Sequence, residues 1–319
     1  EEFVAVILHK DTEEFLGIVG AHKIDTQTPE LGIWIKESAH GNGYGKEAVF
    51  AMKDWIDANV TYQYIAYPVD QENLASRRIP EALGAKVAAE YDKPALTGRT
   101  LKINEYRIYP KHNYDAIIFD IDGTLWDANT TCAKAWMSVL KAKGEDRIIT
   151  KDDIGAVTGK PFDECVRTVL PELCKKYPDL ITELNQAEQV AIAKHGGQLY
   201  QGVPDAIIAL SKKYKIFLLS NCQEQYLYDF IQFSGLKDVL TGYDCNGIAK
   251  APKEQMLQAM ITKYNLQNPV YVGDTELDYK ACQKAQVPFL YAAYGFGQVN
   301  NPKVLSFECF QGIASYLAA

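Results

Sequence analysis

Residues 116–124 read Ala-Ile-Ile-Phe-Asp-Ile-Asp-Gly-Thr: a short apolar strand, Ala116–Phe119, that runs straight into two carboxylates and a glycine. In an open α/β sheet a parallel strand presents its carboxyl end to the ligand crevice, so Asp120 and Asp122 stand where ligands bind. Strands are predicted again at Lys215–Leu219, Val270–Val272 and Pro288–Tyr291, with helical segments between them. That alternation is the pattern of a parallel sheet with helices on both faces. The second strand ends in Ser220-Asn221 and the third in Gly273-Asp274, with Asp278 following, so all three ends face one edge. Between the first two strands the chain is helical from about Thr130 to Lys213, far more than a crossover helix needs. The excess predicts an inserted helical cap.

A chain of 319 residues exceeds one typical domain, and roughly 150 residues per domain predicts two. The upstream part has a different pattern. Val4–Leu8, Phe15–Ala21, Leu31–Ile35, Tyr62–Ala66, Ala85–Tyr91 and Leu101–Tyr109 read as strands. Lys46–Asn59, with Ala48, Val49, Met52 and Ile56 on one face, and Leu74–Leu83 read as helices. The result is an α+β region of antiparallel strands followed by a crossover helix. Pro110-Lys111-His112-Asn113 breaks it, and all seven cysteines lie beyond. The predicted domains are therefore 1–112 and 113–319, with the cap at about 130–200. Glu1 in place of a methionine, followed at once by the apolar stretch Phe3–Leu8, leads to the expectation that the chain is truncated at its N-terminus.

Hydrophobic residues make up 47% and charged residues 23%, a composition that folds. The net charge of −8 repels phosphate backbones and anionic lipid, which argues against a nucleic-acid or membrane partner and requires a local site for any anionic substrate. No apolar run approaches the roughly 20 residues of a membrane span, and a cytoplasmic protein is expected. Cys132, Cys165, Cys174, Cys222, Cys245, Cys282 and Cys309 are odd in number and form no CxxC pair, so reduced, buried thiols are expected.

Asp120, Asp122, Asp274 and Asp278 converge in this reading, and like charges ~4 Å apart repel by roughly 4 kcal/mol per pair at an effective dielectric near 20. A divalent cation removes that cost. An oxygen-only ligand set without histidine favours Mg²⁺, which also bridges to phosphate. Lys250 and Lys253, in Gly247-Ile248-Ala249-Lys250-Ala251-Pro252-Lys253, can meet phosphoryl oxygens, and Lys253 is favoured because it opens the helix Lys253–Tyr264. In the cap, Thr158-Gly159-Lys160-Pro161-Phe162 reads as a turn over the site, with Lys160 a contact for a substrate's distal anion.

Asp120-Ile121-Asp122-Gly123-Thr124, Ser220-Asn221, the lysine, and Gly273-Asp274-Thr275-Glu276-Leu277-Asp278 resemble, in order, the four motifs of the haloacid dehalogenase superfamily. The resemblance runs from about Tyr114 to the C-terminus, and the helical insert resembles the type-1 cap of the phosphoglycolate phosphatase-like branch. Ala292-Ala293-Tyr294-Gly295-Phe296-Gly297 is similar to that branch as well. It implies a Rossmann-like α/β fold and a Mg²⁺-dependent phosphatase acting on a small phosphorylated metabolite. Asp120 would be the nucleophile that becomes an aspartyl-phosphate, and Asp122 the acid that protonates the leaving oxygen. Ser220 and Lys253 would hold phosphoryl oxygens, with Asn221 and Thr124 beside the substrate. The metal would be bound by Asp120, Asp274 and the Asp122 backbone carbonyl, with Asp278 behind them. A phosphomutase is the alternative, although Thr124 occupies a position where mutases of this branch usually have valine; a non-catalytic binding module is another.

In the first region, His40-Gly41-Asn42-Gly43-Tyr44-Gly45 precedes a helix, where backbone N–H groups can close around a pyrophosphate. With Leu31-Gly32-Ile33-Trp34-Ile35, Asn73-Leu74-Ala75-Ser76-Arg77-Arg78 and Leu83-Gly84-Ala85, it resembles the acetyl-CoA-binding core of the GNAT N-acetyltransferases, in the branch similar to ribosomal-protein alanine acetyltransferases. The resemblance implies a partial GNAT domain using acetyl-CoA and an amine acceptor. Gly41, Gly43, Tyr44 and Gly45 would contact the pyrophosphate, Asn73 would lie beside the pantetheine arm, Ser76 would protonate the thiolate, and Glu30 is a candidate base. His40 stands where the family has Arg or Gln, and Pro80 interrupts the helix after Asn73. Acetylation as the main activity of the parent protein is the rival reading.

Overall fold

The computed structural model describes residues 1–95 and 98–319. The chain divides into two compact units, Glu1–His112 and Asn113–Ala318. The first contains, in order, β1 (Glu2–Leu8), β2 (Phe15–His22), β3 (Glu30–Ile35), α1 (Tyr44–Asn59), β4 (Ile65–Asp70), α2 (Leu74–Ala82), β5 (Lys86–Pro94) and β6 (Thr100–Ile108). They form one sheet in the order β1-β2-β3-β4-β6-β5. Its pairs are antiparallel except β3 with β4, the pair that α1 connects. Val49, Met52 and Ile56 of α1 pack on Val19, Leu31 and Tyr67 of the sheet.

The expected strand Tyr62–Ala66 is displaced to Ile65–Asp70 and runs through Pro68. The physical reason is that β3 and β4 share a single register pair, Glu30↔Ala66, and then part. The Ala66 amide donates to the Pro29 carbonyl on the β3 side, and by strand alternation residue 68 turns its nitrogen the same way, where no ladder bond is lost to proline. Pro80 is likewise accommodated inside α2.

The second unit contains β7 (Ala116–Phe119), β8 (Trp126–Asp127), α3 (Asn129–Ala142), α4 (Lys151–Gly155), α5 (Phe162–Val169), α6 (Pro171–Lys176), α7 (Leu180–His195), β9 (Gln198–Leu199), α8 (Val203–Leu210), β10 (Lys215–Ser220), α9 (Glu224–Ser234), β11 (Leu240–Cys245), α10 (Asn246–Ala249), α11 (Lys253–Tyr264), β12 (Pro269–Gly273), α12 (Glu276–Ala285), β13 (Phe289–Ala292), β14 (Leu305–Phe307) and α13 (Phe310–Ala318). The main sheet is parallel throughout, in the order β11-β10-β7-β12-β13-β14. Phe119 is in register with Leu218 on one side and Val272 on the other, which brings the three motif-bearing strand ends level. β7, β10 and β12 are buried on both faces, with Ile118, Phe217 and Tyr271 packed under Met256, Leu257 and Met260 of α11.

The cap is α3 to α7, entered and left through the antiparallel pair β8–β9. Trp136 and Leu140 of α3 and Leu180, Leu184 and Ile192 of α7 are among its buried side chains. The last part of the helical stretch, α8, packs against α13 rather than joining the cap. All seven cysteines are free, but the expectation that all are buried fails. Cys132, Cys245 and Cys282 are buried, Cys165, Cys174 and Cys222 are half-buried, and Cys309 is exposed.

Candidate active site

The motif residues meet at the carboxyl ends of β7, β10 and β12. Gly123 turns the chain after β7 with a positive φ of 76°, and a Cβ there would lie 2.1 Å from Asp274 Oδ2. Gly295 and Gly297 are required for the same reason, because a Cβ at Gly295 would fall 2.3 Å from the Asp274 Cβ and one at Gly297 would fall 2.6 Å from the Asp274 carbonyl. Three glycines thus form a tight cradle around Asp274. Within it, Asp274 Oδ2 accepts from the Phe296 amide at 2.7 Å and the Gly297 amide at 3.3 Å. Asp274 Oδ1 is buried and has no protein partner.

Asp120, Asp274 and Asp278 bring one carboxylate oxygen each within 4.8 Å of one another. Lys253 Nζ donates to Asp120 Oδ1 at 2.8 Å and also to Asp278 Oδ1. Asp278 has a second task as part of the capping box of α12: its Oδ2 accepts from the Thr275 amide at 3.0 Å and hydroxyl at 2.6 Å. Burial, reinforced by Asp278 and opposed by Lys253, pushes Asp120 up to about 7. Burial and the neighbouring Asp278 and Asp120 raise Asp274 as well. Burial works against the Lys253 ammonium, but Asp120 and Asp278 outweigh it and hold its pKa above the usual lysine value. One ammonium is too little charge for three buried carboxylates. The orphaned Asp274 oxygen and the oxygen-only donor set fit a hard divalent cation such as Mg²⁺.

The fourth carboxylate departs from expectation. The Asp122 side chain does not join the cluster; its Oδ1 accepts a hydrogen bond from the Tyr226 hydroxyl of α9. Burial raises Asp122 to about 6, opposed by that hydrogen bond and assisted by the field of Glu188. Lys250 is exposed, at the left-handed end of α10, and makes no part of the cluster, whereas Lys253 is buried inside it.

Between the sheet edge and the cap lies a chamber lined on the core side by Asp120, Asp122, Ser220, Asn221 and Tyr226, and on the cap side by Asn129, Lys160, Asn185, Glu188 and Gln189 among others. The space open to the centre of a water-sized sphere is about 80 Å³, against the roughly 10–15 Å³ that one water needs, so the chamber suits a small metabolite. Asn221 Nδ2 donates to the Gly159 carbonyl at 2.7 Å, fastening the cap turn to the core. Lys160 lines the chamber and pairs with Glu164 at 3.7 Å. Thr124 is buried, its hydroxyl unpartnered and its carbonyl accepting from Tyr294, and it does not line the chamber. Tyr226 and Glu188 were not foreseen from sequence: one tyrosine in a helix and one glutamate in Ala187-Glu188-Gln189 carry no motif.

In the first unit, Gly41 and Gly43 have φ of 80° and 82°. Gly43 caps α1 with no side chain bonded to its first amides, so the start of the helix stays open around Tyr44 and Gly45. Asn73 caps α2 by accepting from the Ser76 amide at 3.1 Å, and the Ser76 hydroxyl bonds Tyr67 at 2.8 Å. Glu30 is paired with Lys23 at 3.1 Å. No helix among the described residues is long and apolar enough to cross a membrane.

Comparison with known proteins agrees with both readings. The family model described as haloacid dehalogenase-like hydrolase matches residues 117–292, more than half of the chain. The acetyltransferase (GNAT) domain model matches residues 1–86. The chain is 26% identical over 191 residues to a phosphoglycolate phosphatase of Aquifex aeolicus, covering 58% of this chain and 87% of that protein. It is 26% identical over 178 residues to pyrophosphatase PpaX of Listeria innocua, covering 53% and 79%. A haloacid dehalogenase-like family hydrolase from Streptococcus pneumoniae superposes with a TM-score of 0.54 at 20% identity, over 64% of this chain and 98% of its own. A predicted phosphoglycolate phosphatase from Haemophilus somnus does so with a TM-score of 0.57 at 17% identity, over 64% and 98%.

Proposed function

The chain belongs to the haloacid dehalogenase-like hydrolase family, and from that premise we propose that it is a Mg²⁺-dependent phosphatase hydrolysing a small phosphomonoester through an aspartyl-phosphate. The observation that carries the reading is Asp120 and Asp122 on the chamber wall, with Asp120 tied through Lys253 to a carboxylate cluster that is short of positive charge. Asp120, Asp274 and the Asp122 carbonyl would hold the ion, with Asp278 behind them. Bound there, Mg²⁺ supplies charge to the transferring phosphoryl group and to the attacking carboxylate.

In the first step an Asp120 oxygen attacks phosphorus and the bond from phosphorus to the leaving oxygen breaks. Asp122, held by Tyr226 and raised to about 6, gives its proton to that oxygen and the alcohol departs. In the second, Asp122 takes a proton from water as water attacks phosphorus, releasing inorganic phosphate and restoring Asp120. Ser220 and Lys253 hold the remaining phosphoryl oxygens throughout. Asn221 and Lys160 border the leaving group, and Thr124 supports the Asp122 turn from behind. The domains acting in this account are 1–112 and 113–319, and the free thiols suit a cytoplasmic setting. The test is phosphate release from a panel of small monoesters. Release that chelator stops and Mg²⁺ restores is expected; release indifferent to chelator contradicts the reading.

A second reading concerns the first unit, where the open N-terminus of α1 after Gly41 and Gly43 supports acetyl-CoA binding around Tyr44 and Gly45. Asn73 and Ser76 would lie along the pantetheine arm, and an amine would be the acceptor. Calorimetric titration with acetyl-CoA checks it: saturable binding weakened by Gly43→Val is expected, and no heat of binding contradicts it.

A further inference from the structure

The cap wall of the chamber has a chemistry of its own. Asn185, Glu188 and Gln189, three and four residues apart on α7, face the chamber together, and Asn129 and Gln223 add two more carboxamides. Glu188 Oε2 accepts from the Trp136 indole at 2.7 Å. No lysine or arginine is among the groups that set its ionisation. The Trp136 bond takes one of its four acceptor positions, which leaves capacity toward the chamber. Glu188 lines the same chamber as Asp122, the group that protonates the leaving oxygen in this mechanism, and its charge raises Asp122. Lys160 is the only cation among the described lining residues, and Glu164 already answers it at 3.7 Å.

Resting on the phosphatase reading above, we propose that the Glu188 wall makes the enzyme favour phosphate esters of polyols over esters whose leaving group carries a carboxylate. A hydroxyl both donates and accepts, which matches carboxamides that do the same, while Glu188 accepts from a hydroxyl on the next carbon. A carboxylate would meet Glu188 with no free cation to offset it.

The test compares kcat/KM at pH 8, above the value near 7 to which burial raises Glu188, for glycerol phosphate and phosphoglycolate. Metal-dependent release from p-nitrophenyl phosphate is measured first; its absence sinks the phosphatase reading itself and this proposal with it. With that release present, glycerol phosphate is expected to exceed phosphoglycolate by about tenfold or more. Phosphoglycolate equal to or better than glycerol phosphate overturns the proposal. Glu188→Gln, which keeps an acceptor for Trp136, is expected to narrow the glycerol phosphate to phosphoglycolate ratio by about tenfold. An unchanged ratio in a folded variant assigns selectivity elsewhere and overturns the role of Glu188. If the variant does not fold, the wild-type ratio decides alone.

Discussion

Glu188 carries a carboxylate whose ordinary pKa of 4.5 is raised to about 7 by burial. The folded protein therefore holds a proton there that the unfolded chain releases, and stability falls as pH rises from about 4.5 to about 7. Glu188→Gln removes that dependence. Thermal unfolding should show the variant more stable than wild type at pH 8 by about 1–3 kcal/mol, with the gap closing at pH 5; an equal gap at both values contradicts the burial of this charge. At Gly123, φ of 76° and the 2.1 Å approach to Asp274 predict that Gly123→Ala raises the Mg²⁺ concentration needed for half-maximal activity by about tenfold or more. Metal titration of the rate checks this. Residue identities in motifs were legible before the fold was known, because Asp120, Asp274 and Asp278 lie at strand ends or within a turn of them. The direction of the Asp122 carboxylate was not, since a tyrosine 104 residues away turns it.

Elements were legible where one physical rule dominates. β7, buried on both faces, matches its predicted limits, Ala116–Phe119. β11, Leu-Thr-Gly-Tyr-Asp-Cys, was missed because it is a sheet edge with exposed positions and no apolar run. β14 has three residues, too few for any periodicity. β4 was misplaced because Pro68 reads as a breaker unless the parting of β3 and β4 is known. The cap turn supplies the prediction at this scale. Gly159 has φ of 93° and comes so close to the core that a Cβ would lie 2.8 Å from Thr275 Cγ2, while its carbonyl holds Asn221. Gly159→Ala should unseat the turn, lowering kcat/KM by about tenfold for a small ester while melting falls by only a few degrees. Unchanged kinetics would remove the turn from the closed chamber.

Across the whole molecule, the two units have separate cores, one around Val49, Ile56 and Tyr67 and the other around Phe217, Leu257 and Tyr271. Residues 113–319 expressed alone should fold and keep the metal-dependent phosphatase rate within about twofold; an insoluble or inactive fragment contradicts that independence. The most direct test of the account is phosphate release by the full chain and by Asp120→Asn, measured side by side with Mg²⁺. Asn is nearly the same shape and removes one buried charge, so circular dichroism should show the variant folded. A loss of about 10³-fold or more is predicted, because the Asn side chain cannot form the aspartyl-phosphate through which the proposed reaction runs. A folded Asp120→Asn protein that releases phosphate near the wild-type rate would contradict the nucleophile, and with it the mechanism.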